Sequence, residues 1–170
     1  EPYRRQRQMC IRDRRMSVSD LFKAISIASG NDACVMVGER IAGSNEGFVK
    51  MMNEKAKELK LKNTHFMNPT GLHDDNHYTC AFDLAMMASY LIEIGGERLF
   101  QTTSLYDSYI RENTEKKFWL VITNKLLKSY EGADGLKTGY TKEAGYCIVS
   151  TAKRNGLRLI AVVMKESDPK

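Results

Sequence analysis

The sequence predicts an α+β fold in which helices pack against an antiparallel sheet. Three observations carry this. Apolar residues recur at helical spacing from Ser17 to the Gly95-Gly96 pair, the later part turns to alternating or short apolar runs of strand length, and Asn155-Gly156 sits between two such runs as a hairpin turn. Residues about 16–96 are therefore the helical part and about 97–164 the sheet part of one domain. The 170 residues are long enough for a single sizeable core.

The first helix opens at Ser17, with Asp20 three positions on in a capping-box-like start, and carries Leu21, Phe22, Ile25 and Ala28 on one face. Gly30 reads as its stop, with Ser29 and Asn31 flanking the turn. A second helix is expected over 32–41. A third follows Ser44 as N-cap, with Phe48, Met52, Ala56 and Leu59 in a stripe and Lys50, Lys55, Lys57 and Lys60 on the solvated side. Residues 63–78 are rich in Asn, Asp, Gly, Pro and His, so an irregular loop is expected there. His65, His73, His77, Asp74 and Asp75 lack the tight ligand spacing of a metal site, and no metal or other cofactor is expected. Leu84, Met87, Ala88 and Leu91 mark a fourth helix ending at Gly95-Gly96.

The sheet part begins with a strand over 105–110 and a compact apolar run over 118–122. A Gly-punctuated turn then leads into Lys137-Thr138-Gly139, and two further strands, 146–152 and 157–164, follow it. This predicts a three-stranded antiparallel unit with Lys137 on an outer strand. An outer strand at the edge of a cleft accepts an extended peptide as an additional strand.

The formal charge of +5 does not point to nucleic acid. Residues 1–15 hold six arginines against Glu1 and Asp13, which leaves 20 basic and 19 acidic side chains in the rest. A basic stripe interleaved with aromatics is missing from the folded part, so no nucleic-acid partner is expected. Residues 1–15 also lack apolar periodicity and are read as a tail outside the domain, an artefactual or disordered stretch. Cys10, Cys34, Cys80 and Cys147 form no C-x-x-C pair and read as mostly buried small apolar residues, with no bridge assigned. No stretch reaches the roughly 18 apolar residues of a membrane span.

The chemistry concentrates in two triplets. Lys137 and Thr138 place an ammonium and a hydroxyl where a small anion such as a carboxylate can be held, and Gly139 clears the side chain that would keep a substrate backbone away. Ser29-Gly30-Asn31 lies 108 positions upstream. Taken alone, the first triplet also describes a strand leaving a turn, and the second a helix C-terminus. Together with Ser-x-x-Lys, such triplets make the site of class A β-lactamases and penicillin-binding proteins.

Around both triplets the sequence closely resembles the D-alanyl-D-alanine carboxypeptidases, the low-molecular-mass penicillin-binding proteins of serine peptidase family S11. The likeness runs in blocks over residues 16–170: Ser29-Gly30-Asn31-Asp32-Ala33, Leu61 to Phe66, Asn68-Pro69-Thr70-Gly71-Leu72, and Asp134 to Thr141 followed by Ala144-Gly145-Tyr146. The resemblance implies a β-lactamase/transpeptidase-like fold, incomplete here at both ends. It also implies an extracytoplasmic parent that cleaves peptidoglycan stem peptides ending in D-Ala-D-Ala through an acyl-enzyme and is inhibited by β-lactams. Any membrane contact would come through segments outside this sequence. Ser29 would pass a proton to the leaving amine, Asn31 would bind the penultimate amide, and Lys137, Thr138 and Gly139 would hold the C-terminal residue.

The family places its nucleophile, Ser-x-x-Lys, well before Ser29, where this chain has only the arginine-rich stretch. Two literal matches occur later, at Ser150 to Lys153 and Ser167 to Lys170. In the first, strand alternation sends the two side chains to opposite faces. The second contains Pro169 and ends the sequence. Neither supplies nucleophile and base, so the 170 residues are expected not to hydrolyse substrate, and the missing elements are expected to leave apolar surface exposed. Two other readings share the motifs. A class A β-lactamase needs a Glu-x-x-Leu-Asn loop, which Glu58 to Asn63 misses by one residue. A penicillin-recognising sensor module would share the fold without turnover. Tyr140 stands where some family members carry His.

Overall fold

The computed structural model describes residues 16–167. Four helices come first: α1 Val18–Ala28, α2 Asn31–Ala42, α3 Asn45–Glu58 and α4 Ala81–Thr103. Strands β1 Asp107–Ile110 and β2 Phe118–Val121 form an antiparallel pair. The one-turn helix α5, Leu126–Ser129, leads into β3 Ala133–Thr141, β4 Gly145–Arg154 and β5 Leu157–Glu166, a second antiparallel sheet in that order. The expected three-stranded unit is present, with β3 on the outside. The residue 1–15 tail and most of Ser167 to Lys170 lie outside the described residues.

Local chemistry sets the starts. Ser17 Oγ accepts from Asp20 N at 3.0 Å and Ser44 Oγ from Gly47 N at 3.0 Å, each satisfying an orphan amide of a first helical turn. Asn155 and Gly156 have φ of 49° and 81°, the double positive φ of a type I′ hairpin turn between β4 and β5.

Helix α1 is the hub. Leu21 and Ala24 pack with Ala33 of α2, while Ile27 packs with Ile110 and Leu120 of the two-stranded sheet and with Ile122 just after β2. One helix therefore fixes where its own C-terminus, and hence Ser29, lies relative to both layers.

The structure corrects three expectations. The chain does not leave helix at Gly95-Gly96: Gly96 breaks the geometry (φ 49°, ψ −141°), but helical turns resume to Thr103, and the sheet part begins at Asp107 rather than 97. The break is local because residues 97–103 contain no further Gly or Pro. Gly30 is not the left-handed stop of α1 either. Ser29 takes that conformation (φ 53°, ψ 44°), and Gly30 is already extended and caps α2, because two helices abut with no loop between them. Cys34, Cys80 and Cys147 are free thiols that are half-buried rather than buried. Cys80 Sγ accepts from Asp83 N at 3.5 Å and caps α4.

Large apolar side chains are left in solvent, among them Phe82, Ile94, Leu157 and Leu159. Leu157, Leu159 and Val163 alternate along one face of β5, the outer strand opposite β3.

Candidate functional site

Ser29 leaves α1 in a left-handed conformation that an L-residue adopts at a cost of about 1–2 kcal/mol. The Gly30 amide reaches back to Ala24 O at 3.0 Å and closes the helix end. Strain of this kind, held by the surrounding structure, is common where a side chain must be aimed. Here it aims the Ser29 hydroxyl at β3, where it accepts a hydrogen bond from Lys137 Nζ. The same ammonium donates to Thr138 O at 2.6 Å. Two triplets 108 residues apart thus meet through their side chains. Asn31 opens α2 two positions on, half-buried on the same helix junction.

Thr138 is half-buried and its hydroxyl is hydrogen-bonded to that of Thr123, just after β2. Gly139 is exposed on β3, and a Cβ added there meets no atom within 4 Å, so the strand is unobstructed at that point. Tyr140 pairs across the strands with Tyr146, ring centroids 4.4 Å apart.

Behind the triplet a polar network fixes how β3 enters. Thr103 Oγ1, at the end of α4, donates to Asp134 O at 2.8 Å. Gly135 O accepts from Ser150 Oγ at 3.0 Å and from Asn124 Nδ2 at 3.3 Å. Gly135 is closely approached: an added Cβ would lie 3.0 Å from Thr103 Oγ1, so a larger residue there requires Thr103 to give way by a few tenths of an ångström. Arg158 of β5 holds both carboxylate oxygens of Asp134 at 2.8 Å, donates to Thr151 Oγ1 at 2.8 Å and stacks its guanidinium 4.1 Å from the Phe100 ring. These residues position the triplet, and of them Phe100, Thr103, Asn124, Thr151 and Arg158 were not singled out from the sequence. The available signal was weak: a polar Thr-Asn pair ending an apolar strand, and an Arg two residues after a hairpin glycine.

Ser150 is buried with its hydroxyl committed to Gly135 O, while Lys153 is exposed, so this Ser-x-x-Lys match forms no nucleophile and base pair. Glu58 is paired with Lys55 at 2.6 Å on the outside of α3, and Asn63 N donates to Asp83 Oδ2 at 2.8 Å. Cys34, one turn into α2, lies near Lys137; burial pushes its thiol pKa up, and the Lys137 charge opposes this in part. In the loop over 63–78, His65 Nδ1 lies 2.7 Å from Asn76 O, and His77 Nδ1 accepts from Met67 N at 3.2 Å. Both rings are thus engaged with backbone, and among the described residues no three acidic, His or Cys side chains converge as metal ligands.

A family profile described as D-alanyl-D-alanine carboxypeptidase, Peptidase S11, matches residues 2–168. The chain belongs to the D-alanyl-D-alanine carboxypeptidase family. The match reaches into the arginine-rich first stretch, which carries none of the motif blocks. The D-alanyl-D-alanine carboxypeptidase DacF of Bacillus subtilis is 56% identical over 155 residues, 91% of this chain and 39% of that protein. DacD of Escherichia coli is 37% identical over 153 residues, 88% of this chain and 37% of that protein. This S11 chain therefore spans about two fifths of the length of the curated relatives it matches.

The family's folds agree with it. Penicillin-binding protein D2 of Listeria monocytogenes, in its ampicillin-bound form, superposes with a TM-score of 0.80 at 38% identity, over 91% of this chain and 62% of that one. The Streptomyces K15 DD-transpeptidase gives 0.81 at 27% identity, over 90% and 62%. The expected mixed helix and antiparallel-sheet fold of this group is thus the one observed, over part of its length.

Proposed function

We propose that this S11 chain forms the substrate-anchoring and proton-transfer half of a serine-type D-Ala-D-Ala carboxypeptidase acting on peptidoglycan stem peptides outside the cytoplasm. The observation that carries this is the Lys137 Nζ to Ser29 Oγ contact, which joins the two triplets of the penicillin-binding site. Lys137 sets a positive charge beside Ser29, so the hydroxyl is poised to relay a proton to the leaving D-alanine amine. Asn31 binds the penultimate amide. Thr138, with the Lys137 charge behind it, anchors the terminal carboxylate, and the bare Gly139 admits the substrate backbone alongside β3. β-Lactams occupy the same cleft, as the ampicillin-bound relative supports.

The acyl-enzyme step requires a nucleophilic serine with an adjacent base. The two Ser-x-x-Lys matches within these residues do not supply it, so the 170 residues alone are inactive. Removing such a catalytic unit costs on the order of 10⁶ in rate in a comparable serine hydrolase. The test is release of D-alanine from Nα,Nε-diacetyl-L-Lys-D-Ala-D-Ala. The 170-residue chain should release none, while a longer form carrying an upstream Ser-x-x-Lys should bind fluorescent penicillin covalently and release D-alanine. Labelling without D-alanine release would assign a sensor instead. Turnover by the 170 residues alone would sink the division of the site.

A further inference from the structure

We propose that Tyr140, stacked on Tyr146, is a subsite for the free ε-ammonium of a basic residue two positions before the substrate's C-terminus. The inference rests on the substrate reading above and concerns a side chain outside both triplets. Strand β3 is open in only one direction from Thr138. Before it, Leu136 is buried and Gly135 is enclosed by Thr103, Asn124 and Ser150. After it, Gly139 and Tyr140 are exposed. A peptide held by its carboxylate at Thr138 therefore runs antiparallel to β3, with its penultimate residue opposite Gly139 and the residue before that opposite Tyr140. Directly opposite residues of an antiparallel pair put their side chains on one face. The third side chain from the end thus lies beside the Tyr140 ring.

What that side chain meets is a row running across the sheet. Tyr140 is the register partner of Tyr146, and Tyr146 of Glu166, so two phenol rings and a carboxylate from β3, β4 and β5 share one face. The rings are 4.4 Å apart at 34°, and Tyr140 is 47% exposed. Tyr146 therefore backs the Tyr140 ring and steadies it, while half of the residue stays open to a ligand. An aromatic face carries negative charge density, and an ammonium within about 6 Å of its centroid is attracted to it. The chain already uses two other tyrosines this way, with Lys128 Nζ 3.4 Å from the Tyr106 centroid and Lys117 Nζ 3.8 Å from that of Tyr109. Glu166, exposed at the far end of the row and two strand spacings of about 5 Å from β3, adds a negative potential of the same sign. Lys142 and Glu143, in the turn after β3, offset one another. Acylation of the ε-amine removes the charge and with it this attraction.

The test titrates the isotope-labelled full chain with Nα-acetyl-L-Lys-D-Ala-D-Ala and with Nα,Nε-diacetyl-L-Lys-D-Ala-D-Ala at neutral pH, following the Gly139 and Tyr140 amides by NMR. The ratio of the two affinities is the readout, because a merely structural loss moves both alike. The unsubstituted chain should bind the free ammonium about two- to fivefold more tightly, the scale of a cation–π contact at an exposed site. Tyr140→Leu should bring the ratio to about one, whereas Tyr140→Phe, which keeps the ring face, should retain the preference. Tyr140→Thr replaces the leucine variant if that one unfolds, with the same expected ratio. Equal affinities in the unsubstituted chain, a preference that survives Tyr140→Leu, or equal losses in the Leu and Phe variants overturn the proposal and leave the substrate reading intact. A chain that shifts with neither peptide overturns the substrate reading and the proposal with it, and is told apart by the absence of any response.

Discussion

Replacing Arg158 by Met should destabilise the fold by about 2–3 kcal/mol, and the arithmetic starts from the pair it breaks. Both Asp134 carboxylate oxygens lie 2.8 Å from the guanidinium, and the two side chains are each 21% exposed. Losing one partner of a fully buried pair costs about 3–5 kcal/mol, because the other charge is left desolvated. One-fifth exposure lets water recover part of that, while the lost bond to Thr151 and the lost stacking on Phe100 add to it. Asp134→Asn should cost less, about 1 kcal/mol, since Arg158 can still donate to the amide oxygen. Urea unfolding followed by circular dichroism gives both, with an unchanged m-value and a lower midpoint. The double variant closes a cycle whose coupling should be about 1–2 kcal/mol. In a domain of this size 2–3 kcal/mol lowers Tm by about 5–10 °C. A loss under about 0.5 kcal/mol for Arg158→Met, or no coupling, would refute the role given to this pair in fixing β3.

Two further predictions concern titration. Burial lowers the His77 pKa below 6.5, with Asp74 opposing and His65 adding to the effect. Its stabilising contribution is therefore whole above pH 6.5 and is lost as pH falls through the lower folded value, when the Met67 amide bond to Nδ1 is also broken. Stability measured from pH 7.5 to 5 should fall, and His77→Gln should flatten that fall; an equal slope in both proteins contradicts it. Cys34 should alkylate more slowly at pH 8.5 in the folded chain than in urea, and Lys137→Met should slow it further by removing the charge that favours the thiolate. Peptide mass spectrometry of the Cys34 adduct reads this, and faster labelling in Lys137→Met would count against the proximity of the two groups.

What could be read from the sequence was what local periodicity and short turns dictate. Ser17 and Ser44 as caps, the Asn155-Gly156 hairpin and Lys137 on an outer strand all follow from near neighbours in the chain. Ser29 and Lys137 could be named because their triplets occur together in one family, although nothing local says that they touch. The left-handed Ser29 was not visible, because Gly30 beside it is the residue that chemistry favours there, and only the abutting of α1 and α2 moves the turn by one position. The continuation of α4 past Gly96 was hidden for a related reason: one glycine breaks the local geometry, while packing against β3 and β5 supports the turns after it. Thr103, Thr123, Asn124 and Arg158 act across 11 to 31 positions of chain, and their polar side chains give no periodic signal. Their role emerges only once β3 is placed.

The central claim is that the two triplets form one binding site. Titration of the labelled chain with Nα,Nε-diacetyl-L-Lys-D-Ala-D-Ala tests it most directly. The amides of Ser29, Asn31, Thr138 and Gly139 should all shift along one saturation curve with a single Kd, while Lys165 at the far edge of the sheet stays still. Shifts at one triplet without the other, or two different dissociation constants, would contradict a shared site.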